Sequence, residues 1–224
     1  MVLPHGYDGA GPEHSSCHIE RFLQNCDSSE TSPDGDDVNW GIVCPTTPAQ
    51  YFHLLRKQVI RNYRKPLIIA GPKILLRLPA ATSSLKDMAH GTHFLPVIGE
   101  EDICPDNVRK VIFVSGKHYY LLVSEREDRN IKDTAIIRIE SLCPFPTNEI
   151  NNELLKYKKA KTFVWSQEEH RNMGAWSFVR PRFENLCSTK LQYAGRDVSG
   201  VTAAGVGRVH MQEIRSLLDQ TFSI

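Results

Sequence analysis

From residue 108 to the end, short apolar runs alternate with amphipathic stretches, and this alternation limits the fold more than any other feature of the chain. The runs at 108–114, 134–139, 162–165 and 191–194 read as strands, and the stretches at 117–129, 148–157, 176–185 and 211–222 read as helices. Strand and helix in turn, joined by short loops, imply an α/β fold with a mostly parallel sheet covered on both sides. Sheets of this kind bind partners at the carboxyl ends of their strands. Four polar or turn-rich segments fall there and read as loops: Ser115-Gly116-Lys117-His118, Glu140 to Pro146, Ser166-Gln167-Glu168-Glu169 and Gly195-Arg196-Asp197.

The front half is less regular. Residues 15–26 read as a helix with Ile19, Phe22 and Leu23 on one face and Ser15 or Ser16 as its cap. Residues 27–37 are polar and acidic, and Asp34-Gly35-Asp36-Asp37 within them reads as a solvated turn. A strand follows at 38–44, and Thr46-Thr47-Pro48 opens a helix to about residue 62, a capping Thr preceding Pro in the first turn. Residues 66–70 form a compact apolar strand, and 71–105 read as a long connection draped over the surface.

Residues 3–16, Leu-Pro-His-Gly-Tyr-Asp-Gly-Ala-Gly-Pro-Glu-His-Ser-Ser, hold two histidines, three glycines and two carboxylates just before the first helix. Glycines let a backbone approach a ligand closely, so this reads as a site-like loop. Its place so near residue 1 implies that the chain is the back part of something longer. A net charge of +1, from 27 basic and 26 acidic residues, gives no field directed at nucleic acid or a membrane surface. Six cysteines without C-x-x-C spacing read as reduced and mostly structural. His90-Gly91-Thr92-His93 lacks a third ligand, and no metal site is expected there.

The run from His5 to Ser16 is followed in order by Pro45-Thr46-Thr47-Pro48-Ala49-Gln50-Tyr51, Lys65-Pro66-Leu67-Ile68, Pro72-Lys73-Ile74-Leu75-Leu76-Arg77 and Phe113-Val114-Ser115-Gly116-Lys117. Arg138-Ile139-Glu140, Pro144-Phe145-Pro146, Gln167-Glu168-Glu169 and Tyr193-Ala194-Gly195-Arg196 complete the series. Together they resemble the C-terminal quarter of the thiamine-diphosphate-dependent first component of 2-oxoglutarate dehydrogenase complexes. Leu76 to Ala81 and Trp165 to Val179 look closer to the 2-oxoadipate dehydrogenase branch.

The resemblance implies a transketolase-like fold. Residues 1–98 would end a pyrimidine-binding α/β domain with its outgoing linker, and 99–224 would form a Rossmann-like C-terminal domain. A pyrimidine-binding domain without its first strands would leave open sheet edges at 38–44 and 66–70, so 1–98 alone should aggregate or stay loose while 105–224 is self-sufficient. It implies a homodimer that decarboxylates a 2-oxo acid on thiamine diphosphate with Mg²⁺. The acyl group then passes to a lipoyl-bearing succinyltransferase component. Family members serve the tricarboxylic acid cycle and lysine degradation, in eukaryotes within the mitochondrial matrix. His14 is the substrate-side histidine by resemblance, with His5 close by, since imidazole both hydrogen-bonds carboxylates and shuttles protons near neutral pH. The family usually carries Arg where this chain has His18.

The family's Mg²⁺-binding G-D-G motif and the glutamate that activates its aminopyrimidine are not in these residues, so the chain alone is expected to bind no cofactor and to be inactive. Two other readings stand beside a partial 2-oxo acid dehydrogenase: a non-catalytic subunit docking on a full-length relative, or a coenzyme-binding regulatory module using Lys73, Arg77, Lys117 and Gly205-Val206-Gly207.

Overall fold

The computed structural model describes residues 1–7 and 9–224. Two sheets carry the described chain, and each is parallel except for one antiparallel strand at its edge. The first contains β1 (Val2–Pro4), β2 (Gly41–Val43), β3 (Leu67–Gly71) and β7 (Ser141–Cys143), in the order β1-β3-β2-β7. The second contains β4 (Val97–Ile98), β5 (Lys110–Val114), β6 (Thr134–Ile139), β8 (Thr162–His170) and β9 (Gln192–Arg196), in the order β4-β6-β5-β8-β9. The helices are α1 (Ile19–Gln24), α2 (Pro48–Ile60), α3 (His118–Asp128), α4 (Thr147–Leu154), α5 (Trp176–Leu186) and α6 (Gly207–Ser223).

The continuous apolar run of β5 serves two cores. Val111 and Phe113 face a cluster with Ile137, Ile139, Trp165 and Phe183, whereas Ile112 and Val114 face Ile136, Val164, Leu217 and Leu218. Alternate side chains of a strand point to opposite faces, so a strand with a core on each face must be apolar throughout. The first cluster also takes in Ile42, Cys44, Ile68 and Ala70, so it is shared between the two sheets.

Glu140 joins the sheets. It separates β6 in one sheet from β7 in the other and is fully buried. Its carboxylate accepts hydrogen bonds from Thr46 N (2.8 Å) and Thr46 Oγ1 (2.6 Å), and its own carbonyl accepts from Cys44 N (2.8 Å). Burial pushes its pKa up, against the Arg138 charge and the Thr46 hydrogen bonds.

Several expectations are corrected. The edges expected to lie open on β2 and β3 are paired: β1 runs parallel to β3, and β7 runs antiparallel to β2. The first helix starts at Ile19, not near Ser15, and its cap is His18 in the left-handed region (φ 49°), with no side-chain capping bond. The tight turn at Pro12–His14 occupies the residues before it. Asp34 is not a solvated turn residue, since its carboxylate accepts from Phe145 N (2.6 Å) and Ser29 N (3.0 Å). The connection at 71–105 contains short helical turns and the strand β4. The last helix begins at Gly207, a turn earlier than its apolar spacing suggests.

The start of α2 follows the sequence reading: Thr47 is extended, Pro48 follows, and Thr47 Oγ1 accepts from Gln50 N at 3.2 Å. Thr47→Ala removes this cap, and the expected loss is about 1 kcal/mol in urea unfolding. A change under about 0.3 kcal/mol would show that the helix start is held elsewhere.

Candidate functional site

β8 runs on past the end of its neighbour. Its last residue paired with β5 is Trp165, opposite Phe113, yet the strand continues to His170. Ser166-Gln167-Glu168-Glu169, expected as a loop, is therefore strand, and Gly195 and Arg196 likewise lie within β9. Gln167 fixes this overhang. Its Oε1 accepts from Trp165 Nε1 (2.9 Å) and Trp176 N (3.0 Å), and its Nε2 donates to Met173 O (2.9 Å) and His170 O (3.1 Å).

The overhang carries two glutamates, each with a cation. Lys117, after the β5 turn at Gly116 (φ 66°), donates to Glu168 Oε1 at 2.5 Å. His5 Nε2 lies 2.6 Å from Glu169 Oε1, with only 14% and 12% of the two side chains exposed. The front loop thus docks onto the back sheet through a buried pair whose members are 164 residues apart. Burial opposes charge on His5, but Glu169's charge and hydrogen bond prevail and raise its pKa. Burial also opposes charge on Glu169, and His5 with its hydrogen bond prevails there too, lowering the pKa. For Glu168 burial wins over the Lys117 attraction, and its pKa is raised.

Tyr7 packs behind His5. It is buried, sits at φ 51°, and turns ring edges toward His5 and His170 at 6.4 and 6.2 Å between centroids. The Arg196 guanidinium covers its ring at 5.0 Å and is itself held by Glu213. A Cβ on Gly6 would lie 2.7 Å from both Lys117 Cε and Pro72 Cβ, so the close approach there requires glycine. Ala10 O accepts from Gly205 N at 2.9 Å, tying the loop to the segment before α6.

The two sequence-predicted histidines have different settings. His5 is locked onto the overhang of β8 by Glu169. His14 lies at the end of the loop's tight turn, 3.5 Å from Glu13 Oε1, with 35% of its side chain exposed. A Cβ on Gly9 would sit 3.3 Å from its ring, so the loop wraps closely around it. Asp8, between them in sequence, lies outside the described residues. His18 pairs with Glu20 at 2.9 Å, and Glu20 also accepts from Gly174 N (3.0 Å). Among the described residues no group of three or more His, Cys, Asp or Glu side chains is placed to hold a metal ion.

Sequence reasoning placed Glu169 and Arg196 among the polar strand-end segments but did not join them to His5 and Tyr7. Their signal was a Gln-Glu-Glu run shortly after an apolar stretch, which also describes an ordinary loop.

The 2-oxoglutarate dehydrogenase C-terminal family matches residues 82–222, and the transketolase pyrimidine-binding domain family matches residues 1–79. The human 2-oxoadipate dehydrogenase complex component E1 is 57% identical over the whole chain, which covers 24% of that protein. The Danio rerio counterpart is 56% identical with the same coverage. The 2-oxoglutarate dehydrogenase E1 component of Cupriavidus necator is 48% identical, and the whole chain covers 23% of it. The chain thus spans about a quarter of the length of these relatives. A solved structure of a split-gene transketolase, an inactive beta4 tetramer, shares the fold at 14% identity with a TM-score of 0.54, over 83% of this chain and 57% of that one.

Proposed function

The chain belongs to the 2-oxoglutarate dehydrogenase C-terminal family, and from that premise we propose that it is the back portion of a decarboxylating, lipoyl-acylating 2-oxo acid dehydrogenase component. Residues 1–98 end the pyrimidine-binding domain with its linker, and 99–224 form the C-terminal domain. The substrate is a dicarboxylic 2-oxo acid, 2-oxoadipate or 2-oxoglutarate, and the setting is the mitochondrial matrix. The complete enzyme is a homodimer that hands its acyl group to a lipoyl-bearing succinyltransferase component.

One observation carries this reading. The loop is clamped at its start by His5 and Glu169 and presents His14 at its far end, open to a substrate. His14 is then the substrate-side histidine, able to donate a hydrogen bond to a carboxylate or move a proton. His5 stands behind it, its Nε2 committed to Glu169. The apolar strip of Phe52, Leu55 and Val59 on α2, 43%, 45% and 73% exposed, supports further protein covering this face.

The chain alone is expected not to hold thiamine diphosphate with Mg²⁺, because the G-D-G motif and the activating glutamate that the resemblance calls for are not in these residues. Isothermal titration of the chain with thiamine diphosphate and Mg²⁺ is expected to give no binding heat, both alone and beyond that of added full-length homologue. Stoichiometric binding by the isolated chain would overturn the reading of an incomplete active site.

A further inference from the structure

Charge is unevenly distributed along the chain. Residues 38–86 contain eight Lys and Arg and no Asp or Glu, so the other residues carry a net charge of −7 within the chain's total of +1. At the centre of this acid-free stretch lies α2. It buries Ala49, Gln50, His53 and Leu54, and Leu54 packs with Val43, Ile69 and Phe94. Its outer side carries a second apolar stripe, Phe52, Leu55 and Val59, at the i, i+3, i+7 spacing of one helix face, and Ile60 is exposed as well. The inner residues hold the helix on its sheet, and the outer stripe is left open to solvent.

The cations near the outer stripe are mostly unspent. Arg61 with Asp36, at 2.8 Å, is the one ion pair that residues 38–86 make among the described residues. Arg56 is four residues from both Phe52 and Ile60, which places it on the edge of the stripe. Arg64 donates to backbone only, at Arg61 O (2.8 Å) and Tyr63 O (3.1 Å). The short helical turn at Leu85–Met88 is tied beside α2, since Ala49 N donates to Ser83 Oγ (3.0 Å) and His53 Nε2 to Asp87 O (2.8 Å). It adds an exposed Leu85 and Lys86, while the Asp87 carboxylate is spent on Ser84 N at 2.8 Å.

We propose that the outer face of α2 docks an amphipathic helix of another protein element, apolar along one stripe and flanked by carboxylates. Three arguments choose this occupant. The stripe has the width of a coiled-coil seam, which fits a helix and not the broad apolar face that enters a membrane. A second copy of the chain fits badly, because a two-fold contact uses the same patch on both sides and would set Arg56 and Arg64 among like charges. Guanidinium groups pair bidentately with carboxylates, so acidic flanks supply what Arg56 and Arg64 lack and fix the direction of the docked helix. The inference deepens the reading that further protein covers this face and rests on it. It fails separately from the proposed activity, because its test reads neither cofactor nor catalysis.

The test titrates the full chain into a fluorescein-labelled helical peptide of roughly 20 residues, with leucines on one stripe and glutamates on its flanks, read by fluorescence anisotropy. One comparison peptide has lysine at every glutamate, and another has the same composition with its leucines scattered around the helix. The glutamate peptide is expected to bind saturably, one per chain, about tenfold or more tighter than either comparison, which is about 1.4 kcal/mol. Val59→Asp lies outside the core and should keep the melting temperature while weakening binding about tenfold. Arg56→Glu combined with Arg64→Glu should turn the preference toward the lysine peptide. Equal binding of the striped and scattered peptides, no binding of any peptide, or indifference to Val59→Asp would overturn the proposal. So would binding confined to vesicles of phosphatidylserine and phosphatidylcholine, or self-association of the chain that Val59→Asp abolishes.

Discussion

Glu169→Ala is expected to lower the unfolding free energy of the chain by about 3–5 kcal/mol, the usual cost of removing one member of a buried ion pair. The loss has two sources. His5 keeps a buried Nε2–H without its acceptor, and the loop from His5 to His14 loses its main attachment to the back sheet. Glu168 is not free to replace the carboxylate, because it is already engaged by Lys117. Glu169→Gln separates hydrogen bond from charge: its amide oxygen still accepts from His5, and the expected cost falls to about 1–2 kcal/mol. Urea unfolding of the three proteins measures both differences, and a loss below about 1 kcal/mol for the alanine variant would show that the loop is anchored elsewhere.

The same pair sets a pH window. His5 has a folded pKa raised above its ordinary 6.5, so its contribution is complete below 6.5 and is lost as pH rises through the folded value. Glu169 has a folded pKa lowered below its ordinary 4.5, so its contribution is complete above 4.5 and is lost as pH falls through the folded value. Both are present together between about 4.5 and 6.5, where the gap between wild type and Glu169→Ala should be widest. A gap that stays constant from pH 4 to 8 would mean that the pair is not ionised in the native state.

What the sequence discloses follows the range of the interactions involved. β6 falls at the expected residues and the α2 cap is the expected Thr47, because a short apolar run or a Thr-Pro pair is local information. β1, β4 and β7 are two or three residues long and carry no period, so their existence depends on what lies beside them. The polar end of β8 was misread for a related reason. Gln-Glu-Glu-His has the composition of a loop, and it is strand here because Gln167 is bonded on both sides and β9 pairs with it as far as His170 opposite Arg196. For the site, His5 and His14 were reached through resemblance. The pairing of His5 with Glu169 was not, because no sequence spacing relates residues that meet only when two sheets pack.

Cutting the chain after residue 98 is expected to abolish folding of the front piece altogether. On its own, 1–98 keeps one buried apolar cluster of its own, Val43, Leu54, Ile69 and Phe94. It loses the strand that covers β2, the Glu140 carboxylate that satisfies Thr46, and the core in which Ile42 and Ile68 meet Phe113 and Trp165. An uncovered β2 edge beside an exposed apolar face is a template for pairing with other copies. The back piece keeps most of its sheet, with the second core intact under α3 and α6. It must begin at 99 rather than 105, since Glu100 accepts from Ile136 N (3.0 Å) and pairs with Arg126, whose side chain is only 5% exposed. Separate expression should therefore give a monomeric 99–224 with a cooperative melt and a 1–98 that elutes as aggregate without one. If 1–98 eluted as a monomer and melted cooperatively, the shared core would not be what holds the front half together, and the stability of the His14 loop would have to be sought within the first sheet alone.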